Sequence, residues 1–202
     1  QGFAGAGSTY AVNGRLVERN FLGLGEELLV RGSLESQRFS AGQRFSDSRL
    51  LGHQLSVVES FDLIWKRATS ELEGSAGTLA FGHPFYNLAQ STAFRVFGSY
   101  ADYVFRDTRS GEVVGYDVDP ARRGQQCELG AEDCLARVWR ERLMQLELTF
   151  DYRVGTRSKH TFTWGAEVSS RTVKSVAATA LTSAQEPVFR ELVLPRVRRD
   201  VY

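Results

Sequence analysis

The stretch that decides the fold is Val138–Tyr152, which reads VWRERLMQLELTFDY. Apolar and polar residues alternate along it, and successive side chains of a β-strand point to opposite faces. One face carries Met144, Leu146, Leu148, Phe150 and Tyr152, and the other carries Gln145, Glu147, Thr149 and Asp151. The partner segment, Lys159–Ser170, repeats this alternation. The two segments therefore predict a pair of long strands with one apolar and one polar face.

The same period recurs through the first half of the chain, whereas no helical period lasts more than two turns. Strands are predicted at Tyr10–Phe21, Glu26–Gln37, Arg38–Ser46, His53–Trp65, Glu71–Phe81 and Ser91–Arg106. Residues 107–137 are predicted to form a long polar loop with a short β-like patch at Val113–Val118, and residues 171–202 a loop-like tail. The sequence thus predicts an all-β antiparallel fold of about seven or eight strands, strand-rich over 8–106 and 138–170.

The length of these strands distinguishes two environments. Strands of soluble sheets usually have about 5 to 6 residues, and several here are predicted to be twice as long. Long strands with one apolar face are typical of a transmembrane β-barrel, in which the apolar face meets lipid and the polar face lines an aqueous interior. Aromatic residues near strand ends would then form interfacial girdles: Tyr10, Phe21, Trp65, Phe81, Tyr103, Phe105, Trp139 and Tyr152. A large soluble antiparallel sheet is the alternative.

Composition narrows the possible classes of protein. The 202 residues contain 25 basic and 24 acidic side chains, so no global field favours binding to nucleic acid. No stretch approaches the roughly 18 consecutive apolar residues of a membrane-spanning helix. No signal peptide is visible at Gln1, so we expect either a processed protein or an excerpt of a longer one.

The two cysteines, Cys127 and Cys134, lie in a polar, acidic part of the long loop. Zinc ligation lacks further cysteine or nearby histidine ligands, whereas an oxidising compartment would pair the two thiols. A disulfide is expected, at the tip of an outward loop, with free thiols as the alternative. The disulfide favours a periplasmic, surface or secreted location.

No catalytic constellation, cofactor site or metal site is predicted. The histidines His53, His83 and His160 lack the spacing of metal ligands, and no serine has the G-x-S-x-G context of a nucleophile. Acidic residues of the long loop could hold a divalent cation, although a solvated loop is favoured: Asp117, Asp119, Glu128, Glu132 and Asp133. Six charged residues on the polar faces are candidates for the lumen: Arg31, Glu35, Asp62, Glu147, Asp151 and Glu167.

Three turns follow one another in the first half of the chain. Asn20, Gly23 and Gly25 form an N-x-x-G-x-G turn. Asp47 and Gly52 fit a D/N-P-x-x-x-G segment, with Ser48 in place of the proline, and Gly82 with Pro84 forms a G-x-P strand end. The three motifs in this order resemble the bacterial surface-antigen family. The family contains outer-membrane barrel assembly factors, the related translocation and assembly module, and some patatin-type phospholipases that carry the same barrel. The resemblance covers residues 8–106, and 138–170 by strand pattern alone.

The resemblance implies a sixteen-stranded barrel in the bacterial outer membrane that inserts or translocates other outer-membrane proteins. Its implied partners are outer-membrane lipid, nascent outer-membrane proteins, accessory assembly subunits and the remaining strands of the same barrel. No family-type lid motif (V/I-R-G-F/Y) is present late in the chain, and Val30-Arg31-Gly32-Ser33 lies in an early strand. We therefore expect an excerpt that holds the N-terminal half of the barrel.

Two alternatives remain at this stage. One is a passive porin-like or small closed barrel, although Pro195 and the charged residues after it interrupt a terminal strand. The other is a soluble secreted β-sheet module that binds a partner.

Overall fold

The computed structural model describes residues 11–109, 112–119, 121–122, 125–127, 129, 134–155, 158–176 and 185–193. Tyr10, Glu128, Glu132 and Asp133, which the sequence singled out, lie outside these residues. Among the described residues, no helix has the length and hydropathy to cross a membrane.

Eight long strands form one antiparallel sheet, which confirms the predicted all-β fold. They are β1 (Ala11–Phe21), β2 (Glu26–Glu35), β3 (Arg38–Asp47), β4 (Ser56–Lys66), β5 (Leu72–His83), β6 (Thr92–Arg106), β12 (Val138–Val154) and β13 (His160–Ser175). Each long strand pairs with the next long strand along the chain, in the order β1-β2-β3-β4-β5-β6-β12-β13. The edge strands β1 and β13 each have one paired neighbour in the described sheet.

The sheet is curled like the wall of a barrel. A cavity of about 600 Å³ is lined at once by Arg31 of β2 and Arg171 of β13. In a flat sheet these two strands would stand six strand spacings, about 29 Å, apart. Residues of both strands can line one cavity of this size because the sheet bends around it.

The connection 107–137 contains short strands both within the predicted β-like patch at Val113–Val118 and outside it, where loop was expected. Two residues each from β7 (Thr108–Arg109) and β8 (Glu112–Val113) pair as a hairpin. A small sheet follows, in which β9 (Gly115–Asp117) lies between β10 (Gln126–Cys127) and β11 (Cys134–Ala136). A disulfide joins Cys127 to Cys134 across this sheet. Gly115 lies close to this disulfide, since an added Cβ there would lie 3.2 Å from Cys127 Sγ.

The predicted tail at 171–202 is wrong in two places. Residues 171–175 continue β13, because they pair with residues 139–143 near the start of β12. A short helix, α1 (Gln185–Val188), runs on into a π-helical turn at Phe189–Val193. Long-range packing stabilises this turn, and the local sequence pattern does not show it.

That packing forms a small core at one end of the polar face. Trp139 and Phe189 are both buried and lie in one cluster with Phe105, Leu135 and Val173. The rings of Phe105 and Trp139 stack with centroids 4.4 Å apart. The helical segment is therefore anchored against β6, β12 and β13, beside the connection 107–137.

We predict that Cys127 and Cys134 react with an alkylating agent only after reduction, because both sulfur atoms are held in the disulfide. The bond joins two residues that are seven positions apart in the chain. Closing so short a loop constrains the unfolded chain by about 2.5 kcal/mol in the chain-entropy account. Intact mass after iodoacetamide treatment, with and without reductant, measures this. Two modified thiols without reductant would contradict the pairing.

Candidate functional site

The ladder register assigns every side chain of the sheet to one of two faces, because directly opposed residues lie on the same side. The apolar face is the one that carries Met144 and the residues in register with it. Met144 is opposite Tyr100, which is followed along the same row by Gly77, Phe61, Gln43 and Val30. We call the opposite side the polar face.

The apolar face is the more exposed of the two. Its exposed side chains include Val12, Leu16, Val30, Leu34, Phe61, Leu79, Phe94, Tyr100, Met144, Leu146, Leu148, Phe150, Tyr152, Phe162, Trp164 and Val168. Along β12 the apolar residues are exposed while the polar residues between them are half-buried. Leu148 is 48% exposed, for example, and Val168 on β13 is 71% exposed. The sheet therefore inverts the distribution of a water-soluble protein, in which large contiguous apolar surfaces are rare.

Apolar residues of this face form a band that crosses the strands obliquely. On β2 one border of the band is at Leu28, which lies in the same ladder row as Leu146 of β12. On β12 the corresponding border is at Tyr152, six residues beyond Leu146. At the other border, Val30 lies in the row of Met144, and Leu34 is four residues further. The band thus shifts by about one residue per strand, which corresponds to an angle of about 35° between strands and band normal.

The polar face carries a lattice of ion pairs and hydrogen bonds between strands. Arg31 Nε donates to Asp62 Oδ1 over 2.8 Å, although the two residues belong to β2 and β4. Arg95 of β6 pairs with Glu147 of β12 at 2.5 Å. Glu141, which is 6% exposed, pairs with Arg171 of β13 at 2.7 Å.

The six charges that the sequence selected for the lumen all lie on the polar face, and each has a partner. Beyond the pairs Arg31–Asp62 and Arg95–Glu147, Arg38 Nε donates to Glu35 Oε2 over 2.8 Å. Gln145 Nε2 donates to Glu167 Oε1 over 3.1 Å, and Thr163 Oγ1 donates to Asp151 Oδ1 over 2.5 Å. The contacts of Glu35, Asp151 and Glu167 each connect two neighbouring strands.

A missing side chain makes the Arg31–Asp62 pair possible. Gly42 of β3 lies between the two partners, directly opposite both Arg31 and Asp62 in the ladder. A Cβ at position 42 would overlap the Asp62 carboxylate and lie 2.5 Å from the Phe61 carbonyl oxygen. Glycine at this position therefore lets the guanidinium and carboxylate meet across an intervening strand.

The three family-like turns lie at the same end of the sheet, which we call the turn end. Asn20 closes the first turn, since its carbonyl oxygen accepts from Gly23 N and its Oδ1 accepts from Gly25 N, both over 2.9 Å. Gly23 and Gly25 both have a φ of 75°, in the left-handed region that favours glycine. The N-x-x-G-x-G spacing thus has a local structural reason.

The other two turns have similar local reasons. Asp47 Oδ1 accepts a hydrogen bond from Arg49 N over 2.7 Å, and Gly52 has a φ of 80°. Gly82 lies against β6, where an added Cβ would meet the Arg95 Cα at 3.0 Å. Pro84 follows the last residue of β5, beyond which the ladder needs no donor.

Side chains link the second and third of these turns. The Tyr86 hydroxyl donates to the Ser48 carbonyl oxygen over 2.5 Å, which joins residues 84–91 to residues 48–55. Gln90 Nε2 donates to Gln54 Oε1 over 3.0 Å. The turn end is therefore held by contacts between loops as well as by the strands.

Three of the acidic residues considered for a cation, Glu128, Glu132 and Asp133, lie outside the described residues. The described residues contain no group of three His, Cys, Asp or Glu side chains suited to a metal ion. Asp117 and Asp119 both approach Arg122, at 3.5 and 3.4 Å. His83 packs with the rings of Tyr86 and Phe94.

Sequence reasoning misassigned part of the aromatic girdle. Trp65, Phe81 and Tyr152 do lie on the apolar face, but Tyr103, Phe105 and Trp139 lie on the polar face. The sequence does contain the information that places these residues. Trp139 is an even number of residues from Gln145 and an odd number from Met144, so in a regular strand it shares the face of Gln145. Sequence reasoning also missed the cluster that Asp102 forms with Arg140 and Arg142 on the apolar face.

Neither a family model nor a curated protein matches the sequence. Among solved structures, the chain is similar to BamA from Haemophilus ducreyi lacking POTRA domains 1-3. The sequence identity is 11% and the TM-score is 0.36, and the likeness covers 83% of this chain and 40% of that chain. The chain thus spans less than half the length of that BamA chain, and a likeness of this degree assigns no family.

We predict that Gly42→Ala lowers the urea midpoint of unfolding, because its methyl group displaces Asp62 from Arg31. A loss of about 1 to 3 kcal/mol is expected for an overpacked site with a broken ion pair. Gly32→Ala on the adjacent strand is the matched control, since its Cβ would meet Ser40 O only at 3.8 Å. Tryptophan fluorescence follows both variants, and equal midpoints would contradict the role given to Gly42.

Proposed function

We propose that this chain forms part of the wall of an outer-membrane β-barrel whose apolar face contacts lipid and whose polar face lines an aqueous interior. The observation that carries the proposal is the inverted exposure along β12 from Met144 to Tyr152, where the apolar side chains are exposed and the charged ones, Glu147 and Asp151, are half-buried. Lipid is the solvent in which such an apolar surface is favourable, while the paired charges suit water inside the barrel.

The dimensions of the apolar band support this environment. From Met144 to Tyr152 the band on β12 spans eight residue steps, about 27 Å along the strand. An inclination of about 35° reduces this to about 22 Å along the membrane normal, near the height of about 25 Å usual in barrels. Strand tilts of about 35–45° are also usual there.

The proposed orientation places the turn end in the periplasm and the connection 107–137 outside the cell. Outer-membrane barrels have short periplasmic turns and longer extracellular loops. The connections at the turn end span residues 22–25, 48–55, 84–91 and 155–159. The opposite end carries the short connections 36–37 and 67–71 together with the long connection 107–137 and its disulfide, so the proposed orientation rests on that one long connection. An extracellular position would keep Cys127 and Cys134 in an oxidising compartment.

We further propose that the barrel assists insertion or translocation of other outer-membrane proteins. The order of the three family-like turns along the chain supports this role. In the described sheet, β1 and β13 each also have one strand edge without a partner. An unpaired strand edge is a template onto which another strand can add. The remaining strands of the same barrel are the first proposed partners of these edges, and nascent outer-membrane strands are the second. The proposal assigns no enzymatic step or cofactor to the described residues.

Leu148→Arg is expected to destabilise the chain in lipid vesicles, whereas Thr149→Arg at the neighbouring position is tolerated. Leu148 is near the middle of the apolar band, where a lipid-facing arginine costs about 2 to 4 kcal/mol. Thr149 is on the polar face, so it is the matched control. Equilibrium unfolding in vesicles measures both free energies. A chain that stays monodisperse in plain buffer without detergent would overturn the membrane proposal and favour a soluble module.

For the insertion role, the full chain in vesicles is expected to accelerate the folding of a urea-unfolded small outer-membrane barrel added from outside. Empty vesicles and vesicles that contain a passive barrel of similar size are the controls. The folded fraction is followed by its slower migration in unheated gels. Folding at the rate of the passive-barrel control would contradict the insertion role and favour a passive barrel, while leaving the membrane-wall proposal standing.

A further inference from the structure

A cluster of charged residues lies on the apolar face at the point where the apolar band ends. Asp102 of β6 is 4% exposed and lies directly opposite Arg142 of β12. Arg140 Nε donates to Asp102 Oδ1 over 2.5 Å, and Arg142 donates to Asp102 Oδ2 through Nε over 3.1 Å and Nη2 over 2.8 Å. One buried carboxylate thus fixes two guanidinium groups side by side.

The cluster carries an excess of positive charge. Lys174 of β13 is directly opposite Arg140 on the same face, and among the described residues it has no hydrogen-bond or ion-pair partner. The neighbouring Arg106 is neutralised by Glu73, and both side chains of that pair are largely buried. Asp102 therefore compensates one of three exposed cations.

The two arginines also keep donors available. Each guanidinium has five N–H donors, of which Asp102 accepts one from Arg140 and two from Arg142. Both side chains remain about half exposed, at 51% and 56%. Paired guanidinium groups match the oxygens of a phosphate, which they bind through parallel hydrogen bonds.

The position of the cluster along the strand selects the kind of phosphate. Arg142 lies two residues before Met144 on β12, towards the end of the sheet that carries the connection 107–137, which we call the loop end. It is about 7 Å beyond Met144, the last exposed apolar side chain of the band on this strand. With the apolar band in the hydrocarbon core, as proposed above, this position lies at the level of the lipid headgroups. The opposite border instead carries carboxylates on the same face, namely Glu18 and Asp47. A further carboxylate, Glu59, lies inside the band between Val57 and Phe61.

We propose that Arg140, Arg142 and Lys174, with Asp102 as the residue that orients the two arginines, bind the phosphate of an anionic lipid headgroup at the loop-end border of the apolar face. This inference rests on the proposed contact of the apolar face with lipid. The bound lipid would lie against β6, β12 and β13, with its acyl chains over Tyr100 and Met144. The carboxylates at the other border would disfavour the same headgroup there.

The test uses the full chain in micelles that contain equimolar phosphatidylglycerol and phosphatidylcholine, with the co-purifying lipids counted by mass spectrometry. The wild-type chain is expected to enrich phosphatidylglycerol about five-fold or more, since one cation near an anionic lipid surface contributes about 1 kcal/mol. The triple variant D102N/R140Q/R142Q removes both arginines without leaving a buried unpaired carboxylate. It is expected to lower the enrichment below about two-fold, and Lys174→Gln to lower it partially.

The matched control is R95Q/E147Q/K159Q, which also removes one ion pair and one further cation but on the polar face and at the turn end. It is expected to retain the wild-type enrichment. Equal enrichment in the control and the D102N/R140Q/R142Q variant, whether retained or lost in both, would overturn the site. Displacement of phosphatidylglycerol by inorganic phosphate at constant ionic strength would overturn the assignment to a lipid and indicate a site for free phosphate.

Failure of this inference is distinguishable from failure of the proposed function. A chain that integrates into vesicles but shows no preference between the two lipids overturns the headgroup site alone. A chain that takes up neither lipid and needs no detergent overturns the membrane proposal on which the site rests.

Discussion

The register of the eight-stranded ladder is the constraint on which the rest of the structure depends. Backbone hydrogen bonds fix which residues are opposite each other, and the two-residue period of a strand then assigns each side chain to a face. Leu146 and Glu147 are neighbours in the chain but meet different surroundings for this reason. Both the apolar band and the polar lattice are consequences of a single alignment, maintained over strands of up to 17 residues.

The polar lattice gives this alignment side-chain specificity. A pair such as Arg31–Asp62 joins two strands that share no backbone hydrogen bond, so it holds three strands in one relative position. A slip of β3 by one residue would place Ala41 or Gln43 in the position of Gly42 and exclude the contact. Individual exposed ion pairs stabilise proteins little. Their contribution here is therefore to the choice of register more than to the free energy of unfolding.

The strands and their faces were predictable because long alternation is the most direct sequence signal of a half-exposed sheet. All six proposed lumen charges lie on one face because parity within each strand is sufficient to place them. Pairings between distant segments were not predictable in the same way. The end of β13 depends on pairing with the first residues of β12, and the π-helical turn depends on the contact between Phe189 and Trp139. The cluster at Asp102 depends on the register between β6 and β12, which are separated in the chain by residues 107–137. Aromatic side chains are ambiguous for a related reason, since Trp139 suits a membrane interface and a small buried core equally well by its chemistry.

The oblique course of the apolar band has a consequence for how such a chain can change length during evolution. Insertion of one residue into β12 would exchange the faces of every side chain beyond it, and insertion of two would move part of the band by about 7 Å relative to its neighbours. Either change would be costly over the whole width of the sheet. We therefore expect insertions and deletions to be tolerated mainly in the connections, where backbone groups can be solvated. The segment 107–137 is an extended connection of this kind. It has its own small sheet and disulfide, and the ladder between β6 and β12 is continuous beside it.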